Sequence, residues 1–118
     1  MKYMSTRGRV SGIAFKDAVM MGLADDGGLL IPEQIPDVRA HLEAWRRLDY
    51  VSFAQQVLRL FIDDIAHEVL DGLVADAYAS FSEPDVVRFA EVGDVTVLEL
   101  FHGPTLAFKD VALQLLGG

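Results

Sequence analysis

Residues 95–117 constrain the fold most. The stretch 95–100 is rich in β-branched residues and reads as a strand. His102-Gly103-Pro104-Thr105 follows as a loop, and a helix is expected to begin near Phe108 and to be cut off at Gly117-Gly118. One strand, one loop and one helix cannot close a core alone. The natural continuation is another strand, giving a βαβ unit. The sequence is therefore expected to stop mid-domain, with a compact self-contained domain as the alternative.

Upstream, the pattern is mostly helical with a few short strands. Residues 2–5 are expected to form a short strand. Ser11 is the expected cap of a helix over 13–21, whose Ala14, Phe15, Ala18, Val19 and Met21 make one apolar stripe and whose stop is Gly22. Asp25-Asp26-Gly27-Gly28 reads as a turn in which glycine supplies positive φ. Leu29-Leu30-Ile31 reads as a short buried strand ended by Pro32, and Pro36-Asp37 open a weakly defined helical stretch to Ala44. Ser52 with Gln55 matches a capping box ahead of a helix over 53–61. A second helix is expected over 66–81, with Asp63 and Asp64 suiting its dipole, and the pair is expected to pack antiparallel. Ser82-Glu83-Pro84-Asp85 is the expected boundary, after which a strand over 86–90 and a Gly93-Asp94 turn change the pattern to β.

The apolar content of 52% and a mean hydropathy of +0.28 are high for 118 residues. Small domains expose much of their surface, so the surplus suggests apolar surface meant to meet more protein. The net charge is −8, and residues 51–118 account for it with three basic and eleven acidic side chains. That balance argues against nucleic acid and anionic membrane as partners. A small anion held by a local backbone nest remains compatible. There is no cysteine, which removes disulfides, thiolate metal sites and cysteine nucleophiles. No secretory signal and no membrane-length apolar run is present, so the expectation is a soluble cytoplasmic protein.

Lys109 is the residue best suited to chemistry. It is the only lysine after Lys16, and it stands among Leu106, Ala107, Phe108, Val111 and Ala112. Burial disfavours an ammonium, and only a neutral amine can condense with an aldehyde. A place in the first helical turn favours the neutral form while Asp110 opposes it, so the direction stays open. The alternative is a helix-surface lysine paired with Asp110. His102 either reaches a ligand or is a loop histidine bonded to backbone. Thr105 either contacts the site or caps the helix. Ser5, Thr6 and Arg7 either grip an anion or form a strand-end turn. Trp45 with Arg46 and Arg47 is either a contact patch or core. His41 and His67 have no other ligand type at useful spacing, and no metal site is expected.

FHGPTLAFKD, residues 101–110, resembles the pyridoxal-phosphate lysine motif of the threonine synthase family, which belongs to the tryptophan-synthase-β class of folds. Tyr3-Met4-Ser5-Thr6-Arg7-Gly8 is similar to the family's opening YxSTRG. Phe15-Lys16-Asp17-Ala18-Val19 with Gly22-Leu23-Ala24 is similar to its FxxAVxxGLA segment. Asp26-Gly27-Gly28-Leu29-Leu30-Ile31-Pro32-Glu33 is similar to DGGLYVPE, with Leu30 in place of the usual tyrosine. The matches lie in order across nearly the whole chain.

The resemblance implies an α/β protein: an α+β, mostly helical N-terminal module at 1–82, then the truncated start of a type II pyridoxal-phosphate catalytic domain at 83–118. It implies Lys109 as the residue that forms the internal aldimine with pyridoxal 5'-phosphate and then serves as acid and base. Phe108 is implied beside the cofactor, with His102, Thr105 and Asp110 in the active-site loop. The implied reaction converts O-phospho-L-homoserine and water to L-threonine and phosphate. The glycine- and asparagine-rich loop that such enzymes use for the cofactor phosphate does not occur in this sequence, so the segment alone is expected to be inactive and to bind the cofactor weakly or not at all. The remainder of the catalytic domain is the expected partner, with self-association of the segment through residues 86–118 as a consequence. Two alternatives stand beside this reading: a non-catalytic assembly module, and a related β- or γ-replacement enzyme.

Overall fold

In a computed structural model of the chain, residues 1–117 are described; Gly118, where the last helix was expected to be cut off, lies outside them. The order of elements is β1 (Tyr3–Ser5), α1 (Phe15–Met21), β2 (Leu30–Pro32), α2 (Leu42–Trp45), α3 (Tyr50–Phe61), α4 (His67–Tyr78), β3 (Arg88–Val92), β4 (Val95–Glu99) and α5 (Asp110–Leu116). This is a mixture of helices with two small antiparallel sheets, in keeping with the α/β expectation. The chain forms two compact units. Among the described residues one comprises 1–46 and 56–67, the other 47–55 and 68–117. These units describe packing, whereas the division expected at residue 82 concerns where a catalytic domain starts.

In the first unit, β1 pairs antiparallel with β2, with Tyr3 opposite Pro32 and Ser5 opposite Leu30. Tyr3 also exchanges backbone bonds with Ile13, at 2.9 and 3.1 Å. Ile13 is therefore extended, and α1 starts two residues later than expected. Ser11 is not its cap. Instead the Lys16 N–H donates to the Asp64 carboxylate, Oδ2, at 2.9 Å. A side chain 48 residues away thus satisfies an amide that the helix leaves without a partner. Asp63 pairs with the Met1 α-amino group. Both aspartates consequently serve the amino-terminal segment rather than α4.

Gly22 ends α1 as expected, with φ +70 and its N–H bonded to the Ala18 carbonyl. The small core contains Tyr3, Ala18, Ala24 and Ile62, together with the fully buried Ser5. The Tyr3 hydroxyl donates to the Phe61 carbonyl at 2.9 Å. Burial, and then the Asp64 charge, raise its pKa. The strand at Leu29–Ile31 was expected to be buried, yet Leu29 and Ile31 are exposed, because β2 has only β1 on one side. The helix expected to run to Ala44 is reduced to the four residues of α2, where Trp45 stacks on His41 at 5.3 Å.

The turn before β2 is built on Asp26. Its Oδ1 accepts the Ser5 hydroxyl at 2.6 Å and the Gly28 N–H at 3.0 Å, and its Oδ2 accepts the Arg9 N–H at 3.1 Å. The Arg7 guanidinium donates to the Asp26 carbonyl at 3.0 Å. The Ser5 hydroxyl, ahead of the two backbone donors and Arg7, holds the Asp26 carboxyl below its usual range. Ser5 and Arg7 both bond within this turn, as the strand-end-turn reading of these residues expects.

In the second unit, Asp49 caps α3 with bonds from the Ser52 N–H at 2.8 Å and the Ser52 hydroxyl at 2.9 Å. The expected capping box therefore sits one turn too late: Ser52 is inside the helix, and Gln55 donates to the Asp71 carbonyl at 3.1 Å. Tyr50 meets Tyr78 edge-on at 5.1 Å. The pairs 50 with 78 and 55 with 71 run in opposite order, so these parts of α3 and α4 are antiparallel. Leu70, Val74, Ala77 and Tyr78 form the buried stripe of α4, spaced as an amphipathic helix requires. Val86, 1% exposed, completes this core with φ +63, an unusual angle for a β-branched residue.

The strand expected over 86–90 begins two residues later, and Gly93, with φ +62, opens the two-residue turn of the β3–β4 hairpin. Opposite residues share a face. Val92, Val95 and Val97 lie on one side, Phe89 and Leu98 on the other, and all five are exposed.

Candidate active site

Lys109 occupies the residue before α5, with φ −61 and ψ −26, and it is exposed. The helix starts at Asp110, two residues later than Phe108. The Lys109 amine has no hydrogen-bond or ion-pair partner among the described residues. The pairing with Asp110 considered from the sequence is not formed, because the Asp110 side chain turns the other way. Phe108, also exposed at 66%, stands next to the lysine.

Asp110 is 2% exposed. Its Oδ2 accepts the Thr105 N–H at 2.9 Å, and its Oδ1 accepts the Thr105 hydroxyl at 2.8 Å and the Gln114 amide at 3.3 Å. Its own N–H donates to the Ala107 carbonyl at 3.0 Å. Burial raises its pKa, but the bonds from Thr105, Gln114 and Ala107 outweigh that and keep the carboxyl below its usual range. A buried carboxylate is tolerated where donors replace water, and here three do. Thr105 therefore bonds to Asp110 with both its donors rather than capping α5 at its first free amides.

Gly103 is buried against the same carboxylate. A Cβ there would lie 2.5 Å from Asp110 Oδ2 and 2.7 Å from its Cγ, so only glycine fits. The Leu106 N–H closes the loop on the Gly103 carbonyl at 3.1 Å, with Leu106 at φ +58. The segment 103–107 is consequently folded around one side chain, and Lys109 projects from its exit.

His102 is held on both sides. Its Nε2 is 2.9 Å from Glu99 Oε2, and its ring contacts that of Phe101 at 4.7 Å. Its carbonyl accepts the Ser82 N–H at 3.0 Å and the Ser82 hydroxyl at 3.1 Å. These bonds tie the end of β4 to the chain just after α4. The Tyr78 hydroxyl anchors α5 by donating to the Val111 carbonyl at 3.0 Å, and burial, followed by Tyr50, raises its pKa. Gln114, Glu99, Ser82 and Tyr78 were not singled out from the sequence. Gln114 at i+4 from Asp110 on α5 carried a spacing signal, whereas Glu99 meets His102 only through the way the chain leaves β4. Ser82 and Tyr78 are brought in by tertiary packing alone.

Among the described residues no cluster of three or more His, Asp or Glu is placed to hold a metal ion, and no helix is long and apolar enough to cross a membrane.

Comparison with known proteins places the chain in a family. The family model described as the threonine synthase N terminus matches residues 2–78. Threonine synthase of Schizosaccharomyces pombe is 44% identical over a stretch covering 98% of this chain and 23% of the relative. That of Pseudomonas aeruginosa is 42% identical over 99% of this chain and 26% of the relative. Among solved structures, pyridoxal-phosphate-bound threonine synthase from Brucella melitensis superposes with a TM-score of 0.92 at 44% identity, covering 98% of this chain and 26% of that one. The yeast enzyme gives 0.89 at 41% identity, over 98% and 25%. The chain thus spans about a quarter of the length of the relatives it matches.

Proposed function

We propose a function from one established premise: the chain belongs to the threonine synthase family. We infer that it is the N-terminal part of a pyridoxal-phosphate-dependent lyase that converts O-phospho-L-homoserine and water to L-threonine and phosphate. Residues 1–82 form the N-terminal domain, and 83–118 begin the catalytic domain. The observation that supports the reading is the exposed amine of Lys109, which has no hydrogen-bond or ion-pair partner among the described residues, in a chain of which 98% superposes on a pyridoxal-phosphate-bound threonine synthase.

The residues fit the cofactor. Lys109 would hold pyridoxal phosphate through its amine, and the exposed ring of Phe108 is available to cover a planar heterocycle beside it. When bound, the cofactor supplies an electron sink for carbanions next to nitrogen. The rest belongs to this chain. Lys109 carries protons between substrate carbons as general acid and base. The loop at 103–107 fixes where that amine starts. His102 and Glu99 fix the end of β4 that leads into the loop.

Phe89, Val95, Val97, Leu98, Phe101 and Leu113 are exposed on β3, β4, the loop and α5. We take this surface to be covered by the remainder of the catalytic domain, because apolar residues stand exposed on both faces of the β3–β4 hairpin. Without that cover the segment self-associates, stays in the cytoplasm and is inactive.

The test uses the full-length protein. It is incubated with pyridoxal phosphate, reduced with borohydride and digested. Label on Lys109 is the expected result, and label confined to Lys2 or Lys16 refutes the assignment. Phosphate release from O-phosphohomoserine then tests the substrate.

A further inference from the structure

Asp110 and Thr105 follow and precede the lysine closely enough to suggest contact with substrate. The geometry points elsewhere. Asp110 is 2% exposed, and both its oxygens are occupied, by the Thr105 N–H, the Thr105 hydroxyl and Gln114. A carboxylate engaged in this way has little left to offer a ligand. The loop is shaped to suit it: Gly103 lacks the Cβ that would collide with it, and Leu106 accepts a left-handed φ of +58 to bring Thr105 within reach. Such an angle costs a non-glycine residue about 1–2 kcal/mol, so the loop is not relaxed there for its own sake.

We propose that Asp110 is the positioning residue of Lys109: its buried carboxylate gathers the loop at 103–107 and so fixes the backbone from which the reactive amine projects. Among the described residues the lysine side chain makes no hydrogen bond or ion pair that would orient it, so its direction follows the main chain at residues 107–110. That main chain is pinned by the Asp110 N–H to the Ala107 carbonyl and by the Asp110 side chain to Thr105. The arrangement is complete within this chain, so the amine is presented before the cofactor arrives. This inference rests on the function proposed above.

The experiment compares full-length parent, Asp110→Asn, Thr105→Val and Thr105→Ser. Thr105→Val keeps the shape and removes one donor; Thr105→Ser keeps both donors. The first readout is hydrogen exchange at the Thr105 and Leu106 amides in cofactor-free protein. Losing a bond to a buried carboxylate raises exchange by about tenfold or more in Asp110→Asn and Thr105→Val, with recovery in Thr105→Ser. The second readout is steady-state kinetics. A misplaced amine lowers kcat by about 10- to 100-fold while KM for O-phosphohomoserine stays within about twofold. Parent-like exchange and kcat in both variants overturn the proposal, and so does a rise in KM at constant kcat, which marks direct substrate contact. Should Asp110→Asn fail to fold by circular dichroism, the threonine pair decides alone. A parent that takes no borohydride label at Lys109 defeats the functional reading itself; a labelled parent with indifferent variants defeats only this inference.

Discussion

Replacing Gly28 with alanine tests the turn that joins the start of the chain to β2. Gly28 is buried, and an added Cβ would overlap the Ser5 Oγ while standing 3.1 Å from both the Arg7 nitrogen and Asp26 Oδ1. These neighbours are backbone or hydrogen-bonded polar atoms, so the methyl group has no flexible side chain to displace. Overpacking of this kind costs about 1–3 kcal/mol. Ser5 is fully buried, and a hydroxyl pushed off its partners loses about 1–3 kcal/mol more. The two share one displacement and do not add fully, so we predict a loss of about 2–4 kcal/mol. A domain of this size holds about 5–15 kcal/mol, and with a urea slope of about 2 kcal/mol per molar the midpoint falls by about 1–2 M. Urea unfolding followed by circular dichroism measures it. Ser5→Ala removes the atom that the new methyl meets, so Gly28→Ala should cost at least about 1 kcal/mol less in that background. An unmoved midpoint for Gly28→Ala, or two penalties that simply add, would refute the claim that close approach is what demands glycine here.

Further outcomes are expected. Asp26, held down by the Ser5 hydroxyl, and Asp49, held down by Ser52, both lie below the ordinary 3.8, as does Asp110. Depressed carboxylates add stability above their unfolded pKa and lose it as pH falls through the folded value, so the urea midpoint should hold steady down to about pH 5 and fall below about pH 4; a constant midpoint into that acid range contradicts the assignment. Leu70→Ala, at a 2% exposed site, should cost about 2–5 kcal/mol, while Val69→Ala, at 56% exposure, should cost under about 1 kcal/mol, both read from thermal or urea midpoints. Asp64→Ala should expose the Lys16 amide and cost about 0.5–2 kcal/mol, seen as faster hydrogen exchange at residue 16. Leu106→Gly relieves a left-handed φ at a side chain 72% exposed, so the midpoint should stay level or rise by up to about 1 kcal/mol; a clear fall would show that the leucine packs.

Local signals in the sequence read well where local physics decides. The stop at Gly22 and the Gly93-Asp94 turn appear where turn chemistry puts them, the strand expected over 2–5 forms at Tyr3–Ser5, and the helix expected over 66–81 forms at His67–Tyr78, three residues shorter at its end and with Val69 exposed. Helix starts read poorly, because the atom that satisfies a first-turn amide need not be nearby. Ser11 and Ser52 have the right chemistry, but α1 is capped by Asp64 and α3 by Asp49. A choice between competing oxygens depends on tertiary placement, which spacing along the chain does not encode. The burial expected for Leu29–Ile31 failed for a related reason: apolar composition shows what a strand prefers, and the number of its neighbours sets what it obtains. At the candidate site, the motif located Lys109, but the orientation of Asp110 was hidden. A charge next to a lysine in sequence suggests a pair, whereas adjacent positions at a helix start point apart.

The Asp64 bond to Lys16 has a consequence for synthesis. A seven-residue helix does not persist in water by itself, and this one waits for a carboxylate 48 positions downstream. The Tyr3 hydroxyl waits for a carbonyl 58 positions downstream. On a ribosome, residues 3–16 emerge before the partners that fix them, and they stay open until residues 61–64 have cleared the exit tunnel. A nascent chain stalled before that point should leave residues 3–16 open to a protease, and one stalled well beyond it should not.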